Sequence, residues 1–108
     1  MPVTFKFIGG FRSISGRDIM QLIISGPMSL RAALKKIAEE LPVLKSVLFD
    51  PELDDPRPNS LILVNGCEVS VLNGLDTVLN DGDEVVLIPI LHGGASNLEA
   101  SFIKLKTC

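Results

Sequence analysis

DGDEVVLIPILHGG, residues Asp81 to Gly94, is the stretch that decides how the chain folds. Asp81-Gly82-Asp83 reads as a tight turn, because Gly82 takes a positive φ without a Cβ clash. Glu84-Val85-Val86-Leu87-Ile88 then reads as a strand, rich in the β-branched residues that suit a pleated surface. Pro89 cannot donate to a ladder, so the strand ends near it or lies on an edge there. Gly93-Gly94 has almost no side-chain bulk and fits a channel too narrow for other residues. On this reading, everything before Asp81 is a small rigid body that presents the diglycine.

Outward from that strand, the rest of the body follows from periodicity. Val3 to Ile8 alternates, with Val3, Phe5 and Phe7 on one face, and is a half-buried strand. Gly9-Gly10 interrupts it, and Phe11 to Gly16 reads as a polar connection with two apolar plugs, Phe11 and Ile14. Asp18 to Ile24 predicts a second strand in a hairpin with the first. Ser29 is a good N-cap for the clearest helix, in which Leu30, Ala33, Leu34, Ile37 and Leu41 form one apolar stripe. Lys35–Glu39 and Lys36–Glu40 are spaced for i,i+4 pairs on its other face. Pro42 stops that helix at Leu41 or earlier, and Val43 to Phe49 adds a short helical turn.

Asp50 to Ser60 carries three prolines and reads as a solvated loop; its acids match no ion-binding spacing. Leu61 to Val64 is a short strand, Asn65-Gly66 a two-residue hairpin turn, and Cys67 to Val71 the returning strand. Leu75, Val78 and Leu79 are expected to pack underneath. One amphipathic helix must bury its stripe against a sheet. The expected fold is therefore α+β, a mixed four- to five-stranded sheet packed on one main helix. The first and last strands lie side by side at its centre, and their separation in sequence allows a parallel pair. Phe5, Phe7, Leu34, Ile37, Leu63, Val85 and Leu87 are the expected core.

Composition narrows the function. At 108 residues, 46% hydrophobic and 21% charged, the chain is one foldable domain. A net charge of −3 argues against a nucleic-acid partner, which favours a basic face. Val85 to Leu91 is far short of a membrane span of about 20 residues, and the first residues lack a secretory pattern, so a cytoplasmic location is expected. Cys67 and Cys108 are expected as free thiols in that setting. With a single histidine, no Ser/His/Asp or Cys/His pairing can be argued from so few candidates, and neither a catalytic site, a metal nor a cofactor is expected.

Three stretches resemble the β-grasp, ubiquitin-like sulfur carriers, the family of the molybdopterin synthase small subunit and the ubiquitin-related modifier. Phe11 to Gly16 is similar to the arginine-to-glycine connection after the family's first strand. Leu63-Val64-Asn65-Gly66, followed by Gly74 to Leu79 and Asp81 to Val85, is the most specific part. Ile88-Pro89 resembles the molybdopterin branch, and Leu91-His92-Gly93-Gly94 the modifier branch. The resemblance implies a β-grasp domain over residues 1–92, followed by the diglycine and a C-terminal extension over 93–108. It implies a carried substrate rather than an enzyme. An activating enzyme would adenylate the carboxylate of Gly94, and a thiocarboxylate made there would donate sulfur, in molybdopterin biosynthesis with the synthase large subunit as partner. The alternatives are conjugation to protein through Gly94, or an interaction domain that keeps its extension.

The family ends at its second glycine, whereas this chain continues from Ala95 to Cys108. Cleavage between Gly94 and Ala95 is therefore expected before the carrier works, by a separate hydrolase of the metalloprotease kind. Leu98, Phe102, Ile103 and Leu105 have helix-like spacing and are read as a segment that docks weakly on the body. Val86 and Ile88 point away from the helix if Val85 and Leu87 point in. With Ile90, Leu91 and His92 they form the expected partner-binding surface, His92 being read as a spacer.

Overall fold

The computed structural model describes residues 1–90. Strand β1 (Val3–Phe7) is followed by a short helix α1 (Gly10–Ser15) and strand β2 (Ile19–Leu22). A two-residue strand β3 (Met28–Ser29) leads into the main helix α2 (Leu30–Glu40), and α3 (Pro42–Leu48) follows at once. Strands β4 (Ser60–Val64), β5 (Cys67–Glu68), β6 (Val78–Leu79) and β7 (Glu84–Pro89) complete the body.

The main sheet has five strands in the order β2-β1-β7-β4-β5. Its central pair, β1 and β7, is parallel, with Phe5 opposite Val85 and Phe7 opposite Leu87. The outer pairings, β1–β2, β4–β7 and β4–β5, are antiparallel. The inward residues of the central strands, Val3, Phe5, Phe7, Val85 and Leu87, meet Leu30, Ala33, Leu34 and Ile37 of α2 in one buried cluster. At roughly 1.5–3 kcal/mol for each large side chain fully buried, this contact dominates the stability of the domain.

Ser29 caps α2 as its sequence predicts, its side chain accepting from the Ala32 N–H at 3.1 Å. Pro42 ends α2 and occupies the first turn of α3, where a missing N–H costs nothing. Leu44 and Leu48 of α3 are buried, while Val43 faces out. Lys35 pairs with Asp54 at 2.8 Å, across to the loop, instead of with Glu39.

Several local expectations are corrected. The connection after β1 is helix α1: Gly9 turns the chain at φ 55°, and Gly16 closes the helix in the left-handed region with its N–H on the Arg12 carbonyl. Phe11 is buried as a plug, but Ile14 is 40% exposed. β5 pairs only through Cys67 and Glu68, because the Glu68 side chain accepts from the Ser70 N–H and turns Val69–Val71 into a 3-10 helix. Leu63 is buried but belongs to the outward face, opposite Val86; Ile62 and Val64 take the core positions. Val78 is exposed, and only Leu75 and Leu79 pack inward. A separate two-stranded ladder of β3 and β6 brackets the start of α2, with the Leu30 N–H on the Thr77 carbonyl. Among the described residues no cysteine is free, so the free thiol expected at Cys67 is not what forms.

Candidate functional site

The candidate site is the C-terminal end of β7, from which the diglycine segment departs. The strand is tethered at both ends. At its start, Gly82 sits at φ 85° in the Asp81 turn, and its N–H reaches the Pro2 carbonyl at 3.2 Å. The Asp83 side chain accepts from the Asn80 N–H at 2.7 Å, and the Thr4 N–H bonds the Asp83 carbonyl at 3.0 Å. Asn65 closes the turn on the other side. Its Nδ2 donates to Asp83 at 3.1 Å, its Oδ1 accepts from the Glu84 N–H at 2.9 Å, and its own N–H bonds the Glu84 carbonyl at 2.8 Å.

At the exit, Pro89 is the last strand residue and lies opposite Ser60. A Cβ built on Gly9 would stand 3.6 Å from the Pro89 ring, so the turn into α1 rests against that proline. The Ile90 N–H bonds the Asn59 carbonyl at 3.0 Å, which fixes the final described residue to the loop before β4. Ile90 also borders a shallow hollow with Phe11, Ile14, Val47 and Pro89.

Strand alternation sets which side chains of β7 face away from α2. Val85 and Leu87 are fully buried, and Val86 and Ile88 face the other side, as expected; both are half-buried rather than open. The register places Leu63 beside Val86 and Leu61 beside Ile88, so the outward apolar patch has four aliphatic side chains across two strands. The sequence reading missed Leu61 and Leu63; the β4–β7 pairing that supplies them is a long-range fact. Lys6 and Glu84 form an ion pair at 3.0 Å at one margin of the patch. Leu91, His92, Gly93, Gly94 and Ala95 lie outside the described residues.

Away from this site, charge is used to pin loops. Arg57 forks onto Asp55, with Nε at 3.0 Å from Oδ1 and Nη2 at 2.6 Å from Oδ2. That hydrogen-bonded guanidinium holds the Asp55 carboxyl below its ordinary value and raises Arg57. Among the described residues, no group of three metal-ligating side chains converges. None of the described helices is long and apolar enough to cross a membrane.

A mixed sheet with a central parallel pair, one main helix across it, and a last strand that runs out toward a diglycine define a ubiquitin-like β-grasp protein of the modifier and sulfur-carrier type. Comparison with known proteins gives the particular family. The model of Urm1 (Ubiquitin related modifier) matches residues 2–94, and the chain belongs to that family. A ubiquitin-related modifier of Bos taurus is 38% identical over 98 residues, covering 87% of this chain and 96% of its own. Among solved structures, Urm1 from Trypanosoma brucei superposes with a TM-score of 0.72 at 33% identity, covering 86% of this chain and 95% of its own. A protein of Pyrococcus furiosus described as a putative molybdopterin converting factor, subunit 1, has a TM-score of 0.65 at 25% identity, covering 82% and 97%.

Proposed function

We propose that the chain is a sulfur carrier whose working end is the carboxylate of Gly94, released by cleavage between Gly94 and Ala95. The observation that carries this reading is that the family match runs through Gly94 and stops there, on a body whose central strand leads to Gly93-Gly94. The Gly94 carboxylate oxygen attacks the α-phosphorus of ATP on an activating enzyme, and pyrophosphate leaves. A sulfide equivalent then displaces AMP and leaves a thiocarboxylate. The glycines supply access, since an end without Cβ atoms enters a narrow channel. The body supplies recognition through Val86 and Ile88, continued by Ile90, Leu91 and His92.

While Ala95 is attached, the Gly94 carbonyl is an amide and has no carboxylate oxygen to attack ATP. Cleavage therefore precedes activation, and a metal-dependent hydrolase that admits a slim diglycine suits the bond. Use of ATP fits a cytoplasmic location. Transfer of the sulfur to molybdopterin, with the synthase large subunit as partner, is supported by Ile88-Pro89 and by the likeness to the Pyrococcus protein. The family match favours a second fate for the same activated end, conjugation to a lysine amine through Gly94.

The test uses residues 1–108 and residues 1–94, each incubated with the cognate activating enzyme and ATP. Adenylate is expected only from the shorter form, followed by the mass change of an oxygen-to-sulfur exchange. Equal activation of both forms would end the cleavage requirement. Activation of neither would favour an interaction domain that keeps its extension.

A further inference from the structure

The outward face of β4 and β7 carries four aliphatic side chains, three half-buried and one, Leu63, buried. Leu61, Leu63, Val86 and Ile88 stand in two adjacent pairs on it, while α2 covers the opposite face. We propose that in the uncut chain this patch is the seat of the chain's own C-terminal extension, with the apolar stripe Leu98, Phe102, Ile103 and Leu105 lying against it. The inference rests on the carrier reading only for its consequence. It then means that the extension restrains the protein twice, by blocking the Gly94 carboxylate and by covering the surface offered to the activating enzyme.

Three observations select this occupant. The first is position. Ile90 ends the described chain two residues after Ile88, so the segment that leads to the extension leaves the body at the margin of the patch. Val86 lies four residues back, about 13 Å at ~3.3 Å per residue. The eight residues from Ile90 to Leu98 span up to about 26 Å when extended, enough to reverse and return. Gly93-Gly94 falls within that span, where a reversal meets the least steric resistance.

The second is chemistry. The spacing Leu98, Phe102, Leu105 makes one helical stripe, and a stripe of that kind buries itself only against an apolar surface. The third is charge. Residues 1–90 hold an excess of acids, and Glu84 and Glu68 border the patch, Glu68 lying opposite Leu63. Lys104 and Lys106 make the end of the extension basic. Glu84 is already paired with Lys6, whereas Glu68 accepts hydrogen bonds from Ser70 but has no cation paired with it among the described residues, and it is the favoured neighbour for those lysines.

The test needs no partner enzyme. Methyl NMR is recorded on the full chain, on full-length protein carrying Phe102→Asp and Ile103→Asp, and on residues 1–94, which retain the whole core cluster. The outward methyls of Leu61, Leu63, Val86 and Ile88 are expected to shift together in both altered forms relative to the full chain. The inward methyls of Val85 and Leu87 are expected to stay in place. Contacts from the Phe102 ring to Val86 or Ile88 methyls are expected only in the unaltered full chain. Unchanged outward methyls, or Phe102 contacts elsewhere on the body, would overturn the proposal. Activation of residues 1–94 by the adenylating enzyme tests the carrier reading separately. Shifted methyls without activation would leave the docking standing and remove the carrier, and activation without shifts would do the reverse.

Discussion

Asn65 offers the most quantitative test of how the body holds its central strand. Replacing it with alanine removes two side-chain hydrogen bonds, the one to Asp83 at 3.1 Å and the one from the Glu84 N–H at 2.9 Å. Each is worth about 0.5–1.5 kcal/mol net, toward the lower end because both are exposed. Asn65 also sits at φ 51°, a left-handed conformation that asparagine adopts more readily than alanine, a preference worth up to on the order of 1 kcal/mol. The total is ~2–4 kcal/mol, large beside a typical domain stability of about 5–15 kcal/mol. The chain has neither tryptophan nor tyrosine, so urea unfolding is best followed by far-UV circular dichroism. A double-mutant cycle with Asp83→Ala isolates the side-chain pair and is expected to give a coupling of about 0.5–1 kcal/mol. A loss below about 1 kcal/mol for Asn65→Ala would refute the view that this residue clasps the start of β7. It would mean that the turn is held by its backbone bonds alone.

Leu34→Ala or Ile37→Ala is expected to cost ~2–5 kcal/mol in urea unfolding, because both side chains are buried against the central strands; under about 1 kcal/mol for both would dissociate helix from sheet. Val86→Asp should leave stability within roughly 1 kcal/mol of the parent, since the side chain is half-buried on the outward face, and should weaken binding to an activating enzyme; undiminished binding in a titration would remove the patch from the recognition surface. Ser29→Ala is expected to cost about 0.5–2 kcal/mol through the lost cap on α2, measured in the same way. For acid stability the sign follows from Asp55, whose folded carboxyl lies below its ordinary 3.8. Its contribution is present above that value and is lost as pH falls through the lower folded value. Asp55→Asn should therefore flatten the acid limb of a stability–pH curve, and an unchanged limb would show that the Arg57 fork contributes nothing.

Legibility in the sequence followed the range of the interaction. The stripe of α2 and the alternation of β1 and β7 are local periodicities, and their spacing alone specified which faces had to meet. The central placement of β1 beside β7 followed because both strands are apolar, and their separation in sequence allowed the parallel pairing that forms. Helix α1 was missed because six residues with a single deeply buried side chain carry no period; two glycine conformations, at Gly9 and Gly16, form it instead. Leu63 was misassigned because Leu61 to Val64 is apolar at every position, so alternation could not say which side faced in. Only the pairing with β7 decides that Ile62 and Val64 enter the core. The same ambiguity hid half of the outward patch, since a run that reads as pure core has no visible second face.

That second face bears on what kind of site this protein has. Among the described residues no group of three His, Cys, Asp or Glu side chains is placed to hold a metal ion. What the fold builds instead is direction. The Asp81 turn and Asn65 hold the start of β7, Pro89 rests on Gly9, and the Asn59 carbonyl holds Ile90. Those tethers come from four separate parts of the chain and converge on one strand. An end so fixed sets the point at which the chain leaves the described body, and a patch on the same strand lies at a set distance from that point. On the proposed carrier reading this couples recognition to reactivity: a partner seated on Val86 and Ile88 would lie beside the point from which the segment to Gly94 departs. A change that loosened Pro89 without touching Val86, Ile88 or Ile90 should preserve binding and slow activation. Pro89→Ala, assayed by affinity and by adenylation rate on residues 1–94, separates those two quantities. Equal loss of both would show that the strand end belongs to the binding surface and does not aim the diglycine.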